Sequence, residues 1–441
     1  MLHDTPNRHG EPASNGSENS PCSPPGRGAN AQPVQLDFEQ ERPADGGYGW
    51  VIVASCFTLN CFTWGVTSSY GVYLSHYLSS DLFPGATSMD YGLIGGFNFA
   101  FAMTFAPLAT YTARRFGKHG TMLAGTALQS AGFIFASFAS EVWHLYITQG
   151  ALVGIGIGIG LIFIPSLPVL SQWFSKKRSV ANGISSAGSG VGGVAFSWGT
   201  GAMIRGLGLP WALRATGLVS LVANVVATLL VPDRRLQAES NKLVFDVQLL
   251  RRYEVRLLLL WAFISMFDYI VLLFSLADFS RSIGLSSAQA TDVTGVHNLS
   301  TAVGRPLIGI MSDRFQRIDT AGILTLLCGI ICFAMWLPAT TLGLTLAFAF
   351  FSGAILGVFW MTIGPLCAEV VGLRDLQALL SLAWTTIIIP TTFSEPIALR
   401  LRKPGSKIEY VYPQIFAGVA YLLAGGIMLE LRRVMKRKRE L

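Results

Sequence analysis

The fold is decided by the stretch Asp45-Gly46-Gly47-Tyr48-Gly49-Trp50 and the apolar run that it opens. From Gly46 to Ser80 the chain has no Asp, Glu, Lys or Arg. A helix of roughly 20 apolar residues crosses a bilayer, so this run is long enough to span one. Three glycines in the turn permit a tight approach to the helix. Tyr48 and Trp50 suit the membrane–water boundary, where an amphipathic ring keeps its polar edge wet. The stretch therefore marks a start: solvated tail before it, membrane after it.

Composition agrees. Only 13% of the 441 residues are charged and mean hydropathy is +0.49; soluble domains carry about 25% charge. A net charge of +7 in such a chain points to basic cytoplasmic loops, and no nucleic-acid partner is expected. Six cysteines are scattered, at 22, 56, 61, 328, 332 and 367, with no disulfide pattern. Cys328 and Cys332 share a helix face but have apolar neighbours and no nearby His, so no metal site and no cofactor are expected. No cleavable signal peptide is visible ahead of residue 50.

Residues 1–43 are rich in Pro, Gly, Ser and Asn and cannot bury enough apolar surface to fold. They read as a disordered cytoplasmic tail. The charge-poor windows that follow count the spans: 46–80, 91–113, 119–140, 142–175, 179–204 and 215–232, then 257–277, 293–312, 320–368, 376–394 and 410–429. The window 320–368 is too long for one helix and breaks near Pro338, so it counts twice. The expected fold is an all-α integral membrane protein of twelve transmembrane helices. A six-helix half over 44–232 is joined by a cytoplasmic link, 233–255, to a second half over 256–431, and a basic tail, 432–441, closes the chain. Twelve spans in two halves match the secondary-transporter plan, in which the halves rock about a midplane site. With both termini cytosolic, inner loops and tails hold 24 Lys and Arg against 6 in the outer loops. The one discordant feature is the outer group Arg400, Arg402, Lys403 and Lys407.

After span four the chain reads Trp173-Phe174-Ser175-Lys176-Lys177-Arg178-Ser179-Val180-Ala181-Asn182-Gly183, then Ile184-Ser185-Ser186-Ala187-Gly188-Ser189-Gly190. Physically this is a basic turn followed by a helix with a small-residue face, at Gly183, Ala187, Gly190 and Val194, that lets another backbone approach closely. Gly154, Gly156, Gly158 and Gly160 of span four, with Pro165 and Pro168, read as close packing or a bendable helix.

The stretches 45–50 and 173–190 resemble, in order and in place, the two signatures of the monocarboxylate-transporter family of the major facilitator superfamily. The resemblance covers about residues 45–431, and Trp211-Ala212-Leu213-Arg214 looks like its fungal branch. It implies the major facilitator fold and a loop motif after spans two and eight that latches one conformation. The second copy is well formed, from Gly304 to Phe315; the first keeps Arg114-Arg115-Phe116-Gly117-Lys118 but has no acid. Arg115, Asp313 and Arg314 are thus expected to gate. Animal proton-linked members carry a lysine where this chain has Ser68, and an Asp where it has Thr301, four residues before Arg305. The arginine survives and both partners are gone.

Polar residues inside apolar spans are functional by default. Asn60, Ser68, Tyr70, Asp268, Asn298, Arg305 and Trp360 are the expected substrate-binding set, in a cavity lined by spans one, four, seven, eight and ten. Asp268 and Arg305 are expected to pair. His297 reads as a packed residue and Glu395 as a group facing headgroups or the cavity mouth. The function expected is alternating-access transport of a small organic solute, a carboxylate or amphipathic organic acid, with protons as the candidate coupling ion. The rivals are a fungal secondary-metabolite efflux pump and a non-transporting sensor. An enzyme is not expected, since six scattered histidines offer no catalytic cluster. The expected partners are the substrate and the lipid bilayer, around a monomer. The expected location is the plasma membrane, with a vacuolar or other organelle membrane as the alternative.

Overall fold

The computed structural model describes residues 46–80, 82–159, 173–174, 178–231, 246–372, 375–406 and 409–440. The N-terminal tail, most of the central link, Gly160 with Pro165 and Pro168, Lys176, Lys177 and Lys407 lie outside them. Described residues form α-helical spans and no strand. The first six are α1 (Gly49–Ser79), α2 (Ser88–Phe116), α3 (Lys118–Ala136), α4 (Val142–Ile159), α5 (Arg178–Leu207) and α6 (Leu209–Leu230). The next are α7 (Tyr253–Phe274, continued by Leu276–Ser282), α8 (Ser287–Arg314), α9 (Arg317–Trp336), α10 (Leu342–Val371), α11 (Leu376–Leu401) and α12 (Val411–Glu440). Eight are long and apolar enough to cross a membrane alone; α2, α3, α5 and α8 fall below that composition. In hydrocarbon every backbone group must be paired internally, which a helix does within its own segment. We call the end where α1 starts the near face and the end where it finishes the far face.

The two halves repeat one another. In the first, α1 packs on α5, α3 on α6 and α2 on α4; in the second, α7 packs on α11, α9 on α12 and α8 on α10. The extensive contacts between halves, α5 with α8 and α2 with α11, exchange under the same relation. Start signals repeat too. Thr87 and Asp90 cap α2 reciprocally, and Ser286 and Gln289 cap α8 in the same way.

Breaks in the spans are satisfied by neighbours. α1 is interrupted at Thr63, which frees the Phe62 carbonyl. Gln129 of α3 donates to it at 2.8 Å and Asn224 of α6 at 3.4 Å. The two quoted signatures meet in space: Tyr48 lies 5.9 Å from the Trp173 ring and Trp50 5.2 Å from Phe174. Tyr48 also donates to the Leu230 carbonyl at 2.8 Å. The opening turn is thus anchored to its own half as well as sitting half-exposed at the boundary.

The small-residue face of α5 is used on two sides. Gly192 lies on the Cys61 carbonyl of α1, and Gly190 on the backbone of Ala302 in α8. A side chain at Gly192 would overpack this contact, at a cost of about 1–3 kcal/mol. Gly192→Val is therefore expected to lower the thermal unfolding midpoint in detergent, whereas Gly199→Val on the same helix, where a Cβ meets nothing within 4 Å, is expected to melt like the parent.

Candidate functional site

Between the halves lies a narrow cavity of about 30 Å³, open in part to solvent. Asn60, Trp64 and Ser68 of α1, Phe99 of α2 and Ser186 with Ser189 of α5 line it from one half. Tyr269 and Leu273 of α7, Asn298, Thr301 and Arg305 of α8, and Leu356, Trp360 and Met361 of α10 line it from the other. Five of the seven residues expected at the site are brought together here: Asn60, Ser68, Asn298, Arg305 and Trp360. Spans two and five contribute where span four was expected; no described residue of α4 reaches the cavity.

Arg305 is the one charged side chain in the lining. It is 9% exposed and crosses from α8 to the other half. One terminal nitrogen donates to the Ser189 hydroxyl, in a short bond, and to the Ser186 carbonyl at 3.4 Å. The Tyr269 phenol lies beside it. Its Nε is buried without an acceptor, and it pairs with no carboxylate among the described residues. The guanidinium runs across Gly357, the break between the two parts of α10, where a Cβ would stand 2.6 Å from the Arg305 Cγ. Opposite, the rings make an aromatic wall. Trp64 lies 5.7 Å from Trp360, which stacks at 5.8 Å on Trp384 and meets Tyr269 edge-on at 5.8 Å. The Trp360 indole N–H is buried beside the Tyr269 phenol.

The expected Asp268–Arg305 pair does not form. Asp268 is fully buried and neither carboxylate oxygen has a hydrogen-bond partner. It faces Cys328 and Cys332 of α9 and Tyr421 of α12, inside its own half. The reason is angular. Trp261, Ser265 and Asp268 follow the i, i+4, i+7 spacing of one helix face, and Trp261 on that face donates to Thr325 of α9 at 3.2 Å. Tyr269 is one residue on, about 100° round by the 3.6-residue turn, and takes the cavity position. Tyr70 also misses the cavity lining: its hydroxyl donates to the Tyr91 carbonyl at 2.6 Å and its ring packs on Phe274 at 4.9 Å. Glu395 faces neither headgroups nor the cavity; it is fully buried between spans. His297 is packed as expected, with Nδ1 3.3 Å from the Ser352 hydroxyl. Arg115, at the end of α2, and Asp313 and Arg314, at the end of α8, are exposed. Ser186, Ser189, Trp64 and Tyr269 were not foreseen. The two serines lie inside the quoted Ile184–Gly190 run, which was read for packing and for family resemblance and not for binding.

The far side of this cavity is held shut. Arg281 of α7 donates to the Ser75 carbonyl at 3.1 Å and the Ser79 hydroxyl at 2.6 Å, both on α1. Among the described residues no group of three or more His, Cys, Asp or Glu could hold a metal ion. Two helical halves around a central, sparsely polar cavity define a multi-pass carrier. A sequence model of the Major Facilitator Superfamily matches residues 53–372 and 258–438. The chain is 34% identical over 383 residues to "Probable transporter MCH2" of Saccharomyces cerevisiae, covering 86% of this chain and 80% of that one. It is 27% identical over 411 residues to the "Fujikurins efflux protein" of Gibberella fujikuroi, covering 90% and 86%. Over 149 residues, 34% of this chain and 29% of the other, it is 39% identical to "Monocarboxylate transporter 3" of Rattus norvegicus. A crystal structure of a D-xylose-proton symporter superposes with a TM-score of 0.68 at 13% identity, covering 87% and 98% of the two chains, and so shares the fold. The chain belongs to the Major Facilitator Superfamily, in its monocarboxylate-transporter-like, fungal branch, and its relatives are transporters rather than enzymes.

Gly357→Ala is expected to push Arg305 off Ser189 and lower the unfolding midpoint, because a buried charge that loses its partners costs several kcal/mol. Gly364→Ala, on the same helix with open space around it, is expected to be neutral. The double variant Gly357→Ala/Arg305→Ala should melt no lower than Arg305→Ala alone, since the clash is then gone; additive losses would show that Gly357 does not seat the arginine.

Proposed function

We propose that this protein is a secondary active transporter that carries an organic carboxylate by alternating access, with Arg305 as the partner of the cargo's charge. The observation that carries this reading is the arginine itself: buried, crossing between the halves, and served only by neutral groups among the described residues. A buried guanidinium is poorly compensated by hydroxyls and a carbonyl, and a carboxylate matches its fork. Asn60, Ser68 and Asn298 offer hydrogen bonds to the rest of the cargo, and the aromatic wall favours an amphipathic acid over a small hydrophilic one. Tyr70 supports the cavity through its packing on Phe274. Arg115, Asp313 and Arg314 gate the near side.

The same reading takes the near face as cytosolic, with both termini inside, and the carrier as a monomer in the plasma membrane coupled to protons. The far-face bases fit an outer location better than their number suggests. Arg402 is spent on Asp278 at 2.9 Å and on Glu409 at 2.5 Å, and Lys403 lies over the Tyr412 ring at 4.3 Å. A second reading, export of a fungal secondary metabolite, is favoured by the similarity to the fujikurins efflux protein and shares the same site.

The test is flux of a panel of monocarboxylic acids in proteoliposomes, with and without a pH gradient. Parent protein is expected to accumulate at least one acid, and Arg305→Gln to lose that flux by tenfold or more while remaining folded; equal transport by Arg305→Gln would remove the assigned role. For topology, a cysteine at Lys403 should react with an impermeant reagent on intact cells and one at Lys436 only after permeabilisation. The reverse pattern would invert the orientation.

A further inference from the structure

The α2–α11 seam carries a carboxyl group that neither the fold nor the cavity uses. Gly92 of α2 faces Pro396 of α11, where a Cβ would stand 3.1 Å from the Pro396 nitrogen, and Gly96 lies against the Thr392 backbone. Glu395 sits beside this contact, fully buried. One oxygen, Oε1, accepts from the Ser275 hydroxyl at 2.7 Å. Ser275 is the break in α7. The other oxygen, Oε2, is buried with no partner.

The charges around it are already committed. From α7, Asp278 faces the same region; from the end of α11, Arg402; from the chain leading into α12, Glu409 and Tyr410; from α1, Tyr70. Arg402 binds Asp278 and Glu409, and Tyr410 donates to Asp278 in a short bond. Burial works against the Arg402 charge, but Tyr410, Asp278 and Glu409 more than offset it, so its pKa lies above the ordinary value. The other nearby cation, Arg281, is bonded to Ser75 and Ser79. Three carboxyl groups therefore share one adjacent guanidinium that is occupied by two of them. A carboxyl group in an apolar interior needs a counter-charge or a proton.

We propose that Glu395, with the Ser275 hydroxyl, is a proton-binding site in the α2–α11 seam, filled while the far side is closed and emptied when it opens. The geometry gives the linkage. α2 and α11 belong to different halves, and so do α1 and α7, whose contact closes the far side. Parting the halves there hydrates Oε2, and a hydrated carboxyl releases its proton to the far-side solution. A bound proton thus favours the closed far side, and its loss favours the open one. The site rests on the alternating-access reading but not on the identity of the cargo.

Two measurements on the full chain in lipid nanodiscs test this, and neither requires flux. Infrared difference spectra between acidic and alkaline buffer should show a protonated carboxyl C=O band in the parent that is missing in Glu395→Gln. Spin labels at Met89→Cys and Leu401→Cys, in a background with the native cysteines replaced by serine, report the far-side α2–α11 distance. The parent is expected to shift toward longer distances as pH rises, and Glu395→Gln to stay at the short distance throughout. Ser275→Ala, which keeps the carboxyl but removes its donor, should still open but at more alkaline pH. A band and a pH-linked movement that persist in Glu395→Gln and vanish in Asp268→Asn would overturn the assignment, as would a far-side distance in the parent that does not depend on pH. Failure to transport any tested acid, with these signals intact, would count against the cargo reading alone.

Discussion

One constraint organises the interior: a guanidinium is held inside an apolar bundle with no carboxylate beside it among the described residues. Arg305 reaches across from the second half to Ser186 and Ser189 of the first. Charge at this depth is costly unless something answers it. The chain answers with a hydroxyl, a carbonyl and a phenol, which orient the group without neutralising it. It also clears space for it at Gly357, where α10 breaks. A cation oriented but not neutralised, inside a cavity with ring walls, is the observation behind the proposed carboxylate cargo.

On the proposed alternating-access reading, the halves move around that point. They share a repeated packing scheme, and their tightest contacts are glycine-backed: Gly190 against Ala302 in one seam, Gly96 against Thr392 in the other. Surfaces without side chains lock no rotamers together, so two packed arrangements of similar energy are accessible in a way that interdigitated side chains would not allow. The ties that hold the far side include polar ones, Arg281 on Ser75 and Ser79. The anchoring within each half is of a different kind: the break in α1 is closed by Gln129 and Asn224, and the opening turn is clamped on Trp173 and Phe174. Rigid halves and a yielding seam are what rocking about a central site requires.

The twelve spans were legible because membrane crossing is read from the absence of charge, a property that needs no neighbours. The two signatures carried the family for the same reason. Cavity residues were legible where polarity and angle agreed, as at Asn60, Ser68, Asn298, Arg305 and Trp360. Asp268 shows where that reasoning stops. Height along the bundle placed it near Arg305, but a helix turns about 100° per residue, and its neighbour Tyr269 has the inward angle. Ser189 was hidden by the opposite ambiguity: a serine among glycines signals packing as readily as binding. Glu395 lay near the end of a window, and depth along the chain did not reveal that α2 and α7 cover it.

The central claim is that Arg305 awaits a carboxylate. The direct measurement is ligand binding followed by intrinsic fluorescence, since Trp64 and Trp360 line the cavity. A flux-positive acid and its primary amide, equal in shape and different in charge, would be titrated into the purified protein in lipid. The account predicts saturable quenching by the acid, weaker by tenfold or more with the amide, and no difference between the two in Arg305→Gln. Equal binding of acid and amide to the parent protein would contradict it.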